Sequence, residues 1–275
     1  MSLKFDGPVL LAGAGKMGAA MLSGWLAQGL DPAGVIIQEP HLAGEAAELA
    51  GRHGIRAYST VPALPAPPAV IVIAVKPQVM EEVFAPLAAI AGPATAVLSI
   101  AAGKSIASFE KHLTAGAAVV RAMPNTPAAI GRGITGAVAN GHVSAAQKAA
   151  CDHLLRAVGD VVWVDDEALI DAVTAVSGSG PAYVFLLTEC LAEAGRAAGL
   201  DGDLAMQLAR ATVTGAGELM HRSPLPAATL RQNVTSPGGT TAAALGVLMR
   251  SPGGLRDLMC EAVNAAKRRG RELGS

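Results

Sequence analysis

The chain has 275 residues, 51% of them hydrophobic and 16% charged, with 21 Lys and Arg against 22 Asp and Glu. That length fits one large domain or two modest ones around an ample apolar core, and aromatics at only 3% leave Ala, Val, Leu and Ile to fill it. The near-neutral balance, with one basic run at Lys267-Arg268-Arg269-Gly270-Arg271, argues against a nucleic-acid partner, since cations in a last helical turn complement its dipole.

The three cysteines, Cys151, Cys190 and Cys260, stand far apart and form no C-x-x-C, which fits a reducing cytoplasm better than a disulfide framework. The six histidines show no zinc spacing, so no metal site is expected. Val9-Leu10-Leu11-Ala12 is short and runs straight into a glycine loop, unlike a signal peptide. Ala85 to Gly103 is 19 residues without a charge, but Pro86, Gly92 and Pro93 divide it into helix, turn and strand. The expectation is a soluble, cytoplasmic protein without membrane contact.

Short apolar runs predict strands at Pro8–Ala12, Val35–Gln38, Val70–Val75, Ala96–Ile100 and Ala118–Ala122. Helical stretches fall between them at Met17–Gln28, Leu42–His53, Val79–Ile90 and Ser105–His112. Gly133–Ala139 and Val161–Val164 read as two more strands around a helix at Ala145–Ala157. Continuous apolar strands alternating with helices indicate a parallel, doubly wound sheet covered on both faces. After Asp165 strands disappear. Helices are expected at Leu169–Val176, Pro181–Ala198, Asp203–His221, from Thr240, and at Leu255–Arg271. Pro181 suits a first helical position and Gly199 a left-handed cap. The division is therefore an α/β dinucleotide-binding domain at 1–165 and an all-helical domain at 166–275. Several of the later helices are apolar on more than one face, which points to a homodimer, with a folded-back bundle as the alternative.

Gly13-Ala14-Gly15-Lys16-Met17-Gly18 matches G-x-G-x-x-G, follows a strand and opens a helix. Glycines there permit the tight turn and let the backbone approach a pyrophosphate, which the helix N-terminus then faces. Such a loop is weak alone; the strand before it and the helix after it make the dinucleotide reading the better one. Glu39 ends the second strand, 21 residues after Gly18. It either binds the adenosine ribose hydroxyls, favouring NADH over NADPH, or merely caps the turn beside Pro40. Lys76, in Val75-Lys76-Pro77, stands at a strand C-terminus, where open α/β sheets bind ligands.

Ser236-Pro237-Gly238-Gly239-Thr240-Thr241 precedes an Ala-rich helix. Free N–H groups and three hydroxyls make it a site for a small carboxylate, whereas a plain N-cap needs only one hydroxyl. Ser177-Gly178-Ser179-Gly180-Pro181 is a second Gly/Ser turn at a helix start, either near a nicotinamide or a tight connection. No Ser-His-Asp, Cys-His or paired-carboxylate arrangement stands out. Reduction of an already protonated imine needs positioning more than a strong protein acid.

Six motifs in order carry a resemblance over essentially the whole chain. They are Ala12 to Met17; Ala74-Val75-Lys76-Pro77; Ser99-Ile100-Ala101-Ala102-Gly103; Arg121-Ala122-Met123-Pro124-Asn125-Thr126-Pro127; Ser177 to Tyr183; and Asn233-Val234-Thr235 leading into Ser236 to Thr241. In these the chain resembles pyrroline-5-carboxylate reductases. The resemblance implies a Rossmann-type domain followed by an all-α dimerisation and substrate-binding domain, in dimers that often assemble further, commonly into decamers. It implies hydride transfer from NADPH or NADH to the imine carbon of L-1-pyrroline-5-carboxylate, giving L-proline. By analogy Ser236, Gly239, Thr240 and Thr241 hold the carboxylate, and Thr241, the catalytic candidate, hydrogen-bonds the ring nitrogen. Asn233 and Glu167 fall near the substrate. Gly13, Gly15, Lys16, Met17, Gly18, Glu39, Ala74, Val75, Lys76, Pro77, Ala101, Ala102 and Asn125 fall to the cofactor.

Two stretches depart from the family: Gln38-Glu39-Pro40 where many relatives carry residues suited to a 2′-phosphate, and Ser59-Thr60-Val61-Pro62 where many carry Asn. Both bear on NADPH preference and leave the substrate end intact. The rivals are a reductase of a related cyclic imine, disfavoured because no Lys occurs between Asp166 and Lys267, and a catalytically silent dinucleotide sensor, disfavoured by the Thr240 and Thr241 hydroxyls.

Overall fold

The structure, a computed structural model, describes residues 5–274. The chain divides into two compact units. One runs to Gly178 and takes up the chain again from Lys267; the other is Ser179–Ala266.

The first unit is built on an eight-stranded sheet. Its strands are β1 (Val9–Ala12), β2 (Val35–Gln38), β3 (Arg56–Tyr58), β4 (Val70–Ile73), β5 (Ala96–Ser99), β6 (Ala118–Met123), β7 (Gly133–Ala139) and β8 (Gly159–Trp163). They lie in the order β3-β2-β1-β4-β5-β6-β7-β8, and the first six reproduce the Rossmann order. Five of the seven expected strands match to within one residue at each end; β4 ends two residues early, and β8 begins two residues early. The exception in direction is β7, which pairs antiparallel to β6. The linker between them carries only the short 3-10 turn Thr126–Ile130, too little chain for a parallel crossover. A helix then separates β7 from β8, and that pair is parallel again.

Both faces of the sheet are covered, which is why its strands read as unbroken apolar runs. Val9, Leu11, Val35, Ile37, Val70 and Val72 point one way, onto α1 (Lys16–Ala27), α2 (Gly44–His53) and α5 (Ala145–Arg156). Trp25 of α1 is fully buried there and donates its indole N–H to the Leu154 carbonyl at 2.9 Å. Leu10, Ile36, Ile71, Ile73 and Val97 point the other way, onto α3 (Met80–Ala88) and α4 (Ile106–Glu110). Phe84 and Phe109 meet edge to face in that layer, with centroids 5.0 Å apart. The edge strand β3 was not expected from sequence; Arg56-Ala57-Tyr58 is exposed and has no apolar run to announce it.

Beyond β8 a 3-10 turn at Glu167–Leu169 leads through α6 (Ile170–Val173) into a five-residue π turn, Thr174–Gly178. These residues pack on the sheet. A Cβ at Gly136 of β7 would collide with Val173, and one at Gly178 would lie 3.0 Å from Met123 Cε. Strands end where expected, near Asp165, while the compact units divide later, after Gly178.

The second unit holds α7 (Gly180–Ala197), α8 (Gly202–Arg222), α9 (Ala227–Asn233), α10 (Thr240–Leu248) and the start of α11 (Leu255–Gly274). The seven-residue α9 is an addition to the expected helices. Gly199 takes φ +101° after α7, and Asp201 caps α8 by accepting from the Asp203 and Leu204 N–H groups. α7 and α8 approach closely where Gly195 faces Ala205. Among the described residues of this unit, the buried hydrophobic side chains are those of Ala192, Ala205 and Ala209. Val184, Phe185, Leu186, Leu187 and Leu191 of α7 are all exposed, Phe185 by 61%. The continuous helical run Glu167–Ala197, 31 residues, is by length and composition able to cross a membrane.

Candidate active site

In an open α/β sheet ligands bind beyond the strand C-termini, where the order reverses. Here that point lies between β1 and β4, and the two loops leaving it are pressed together. Gly13 takes φ +91°, and a Cβ on it would lie 2.7 Å from the Ala74 carbonyl oxygen. A Cβ on Gly18 would collide with the Gly13 carbonyl. Both glycines therefore have structural reasons. Gly15 has none: a Cβ there meets nothing within 4 Å. Gly15 is the N-cap of α1, which has no side-chain cap and no acidic residue in its first turn. An uncapped N-terminus behind a side-chain-free position fits a pyrophosphate. Lys16 is exposed beside it, and Met17 is half-buried against the core.

Glu39 follows β2 directly. Its Oε2 accepts the Ala14 N–H at 3.0 Å and its Oε1 accepts the His41 N–H at 3.0 Å. The capping reading is met, since the side chain bonds within its own turn, and it also ties that turn to the glycine loop. Next to it the Gln38 amide donates to the Ser59 carbonyl at 3.3 Å, and the Gln38 Oε1 is buried without a partner among the described residues.

Val75, Lys76 and Pro77 leave β4 at the same edge; Lys76 is exposed, and Pro77 opens a 3-10 turn. Ala101 and Ala102 leave β5 there too. Ala101 is buried and donates its N–H to Ser99 Oγ at 3.2 Å; Ala102 is exposed. Asn125, after β6, is buried with its amide committed at both ends. Its Nδ2 donates to the Ser177 carbonyl at 3.1 Å, and its Oδ1 accepts the Ile134 N–H at 2.9 Å. It pins the π turn to β7.

Glu167 also lies in this first unit. Its Oε1 accepts from Arg121 Nη1 at 2.8 Å and from the Ile106 N–H at 2.9 Å, so it joins β6 to the start of α4. Arg121 and its neighbour Asp171, 3.8 Å from Nη2, had no assigned role in the sequence reading. A lone Arg in the apolar run Ala118-Val119-Val120-Arg121-Ala122 was the available signal, because a cation buried there requires partners.

The other substrate candidates lie in the second unit. Asn233 is the last residue of α9, and Ser236 to Gly239 turn the chain into α10. Gly239 donates its N–H to the Ser236 carbonyl at 3.1 Å, Gly238 takes φ +69°, and a Cβ on Gly239 would collide with Ser236 Oγ. The N-cap of α10 is Gly239, with no side-chain cap. Among the described residues the hydroxyls of Ser236, Thr240 and Thr241 have no protein partner, and Thr241 is half-buried. Plain capping therefore does not account for them.

Among the described residues no group of three or more His, Cys, Asp and Glu side chains is placed to hold a metal ion. Cys151, in the α5 layer away from these loops, is set by burial first and by Asp152 second, which push its thiol up to about 12.

Known proteins show the family and the fold. A family model described as pyrroline-5-carboxylate reductase dimerisation matches residues 167–273, and one described as NADP oxidoreductase, coenzyme F420-dependent, matches residues 9–103. A pyrroline-5-carboxylate reductase of Pseudomonas aeruginosa is 43% identical over 96% of both chains. The chain belongs to the pyrroline-5-carboxylate reductase family. The solved structure of a family member from Coxiella burnetii superposes with a TM-score of 0.90 at 36% identity, covering 98% of this chain and 99% of that one. A Plasmodium falciparum member, solved with NADP bound, superposes at 0.80 with 27% identity, covering 99% and 100%. Like the rest of this family, the chain is an NAD(P)H-dependent oxidoreductase with a dimerisation domain.

Proposed function

We infer that this chain reduces the C=N bond of L-1-pyrroline-5-carboxylate to give L-proline, the last step of proline biosynthesis. The observation that carries the substrate assignment is the start of α10, an uncapped helix N-terminus with three hydroxyls that have no protein partner among the described residues. Ser236, Gly239, Thr240 and Thr241 hold the carboxylate through N–H and O–H donors. Thr241 Oγ1 accepts from the protonated ring nitrogen and orients the imine carbon. Asn233 and Glu167 belong to the same reading, Asn233 beside the substrate and Glu167 as a residue supporting the site.

The nicotinamide, when bound, supplies the hydride. Gly13, Gly15, Lys16, Met17 and Gly18 hold the pyrophosphate, Ala74 to Pro77 and Ala101, Ala102 and Asn125 line the site beyond it, and Glu39 meets the adenosine ribose. Its carboxylate, fixed by two backbone N–H groups, supports NADH over NADPH, because a 2′-phosphate would meet a held negative charge. Residues 1–165 bind the dinucleotide and 166–275 form the dimerisation and substrate domain. The exposed apolar face of α7, inside the region matched by the dimerisation model, supports burial against a second copy. Further assembly to decamers and a cytoplasmic, membrane-free location complete this reading.

The deciding experiment follows oxidation of NADH and NADPH in parallel with pyrroline-5-carboxylate as substrate. Turnover establishes the reaction, and the ratio sets the cofactor. Folded protein that binds dinucleotide without turnover would return the sensor or the alternative-imine reading. Under the reductase reading, proline raises thermal stability only when dinucleotide is present.

A further inference from the structure

The last turns of α11, from Lys267 on, belong with the first unit, and four observations show what they touch there. Gly103, in the loop after β5, takes φ +72°, and a Cβ on it would lie 3.3 Å from the Leu273 carbonyl oxygen. The helix end therefore sits directly over that loop. Gly270 brings it close to α6, since a Cβ there would lie 3.8 Å from Asp171 Oδ1. Arg271 Nε lies 3.7 Å from Asp171 Oδ2. Finally, Gly270 and Leu273 wall a cavity of about 320 Å³ whose other sides include Pro77, Ala102 and Lys104, from the loops after β4 and β5.

The charges form a row from the helix end to the far side of the same loop. Arg271 faces Asp171, Asp171 faces Arg121 at 3.8 Å, and Arg121 bonds Glu167 at 2.8 Å. Glu167 in turn takes the Ile106 N–H, the first of α4. Two cations and two anions balance. Residues 100–105 are thus held at two points, mid-loop by Leu273 over Gly103 and at the far end by Glu167 on the first N–H of α4. A loop that is already ordered binds ligand without first being selected from a wider ensemble.

We propose that the end of α11 is a positioning element for the dinucleotide site, acting through Leu273 and Arg271 on the loop after β5. This rests on the reductase reading only in that the loop serves a dinucleotide. Arg271 is 60% and Leu273 62% exposed, so neither side chain alone contributes much, and the helix backbone at Leu273 over Gly103 carries more of the effect.

The test titrates NADH and NADPH into the full chain, into a chain lacking 270–275, and into R271A, R271K and L273A, reading Kd from nucleotide fluorescence. Unfolding midpoints and turnover are read alongside. The deletion is expected to raise the dinucleotide Kd by about 5- to 10-fold, with kcat at saturation within about two-fold, as loss of a pre-ordered loop requires. R271A and L273A fall between, and R271K stays near the parent. An unchanged Kd in the deletion overturns the proposal, as does a lowered midpoint with unchanged Kd, which leaves the helix end only supporting the fold. Dinucleotide binding without turnover defeats the reductase reading while the Kd series still judges the proposal; a parent chain that binds neither dinucleotide overturns it.

Discussion

Glu39 and Ala14 are joined by a 3.0 Å hydrogen bond from the Ala14 N–H to Oε2, tying the acidic end of β2 to the glycine loop. The carboxylate is thereby fixed where the adenosine ribose is expected. E39S should raise the ratio of kcat/KM for NADPH over NADH by about 10-fold or more, since it removes a held charge facing a phosphate. Steady-state kinetics with both cofactors checks this. An unmoved ratio would leave Glu39 as the cap of its own turn.

Gly13 and Gly15 should part company when each is replaced by Ala. G13A places a Cβ against the Ala74 carbonyl at positive φ and should cost about 2–4 kcal/mol of stability. G15A meets nothing in the protein, so its unfolding curve should overlay the parent's while dinucleotide Kd rises about 10-fold or more. Urea unfolding and dinucleotide titration separate the two. Unchanged affinity in G15A would remove the loop from the cofactor site.

Thr241 should matter to turnover and not to the cofactor. T241A is expected to lower kcat by about 10- to 100-fold, with dinucleotide Kd within two-fold and activity largely restored in T241S, as for a hydroxyl used mainly at the reacting nitrogen. An unchanged rate would take Thr241 out of the mechanism.

Cys151 predicts an alkaline limit on stability. Its thiol is raised from 9.0 to about 12 in the folded chain, so between those values the unfolded chain releases a proton that the native one keeps. The native state then binds more protons, and its stability falls as pH rises from the lower value to the upper one. The slope from this one group is about 1.4 kcal/mol per pH unit. Below the lower value it contributes no pH dependence. Denaturant unfolding of the parent and of C151A across this range should differ by that slope; parallel curves would show that the thiol is not held neutral.

The first unit was legible because its strands are buried on both faces and because glycine marks each tight turn of the nucleotide end. What escaped was governed by local brevity. Arg56 to Tyr58 make an exposed edge strand without an apolar signature, and α9 is seven residues on the surface. The reversal of β7 depends on how little chain Thr126–Ile130 provides, which alternation of apolar residues does not encode. At the site, the Gly-Gly turn and its hydroxyls could be found from residue types. The commitment of Asn125 to Ser177 and of Glu167 to Arg121 could not, since those partners are 52 and 46 residues away in sequence.

Among the described residues the buried hydrophobic side chains of α7 and α8 are three alanines, and on the dimer reading proposed above a second copy covers their larger apolar side chains. Stability of this half of the molecule is consequently a mass-action quantity. Dilution should lower the melting temperature, a newly made chain is most vulnerable before it meets another, and a subunit weakened in this region can be rescued by an intact companion.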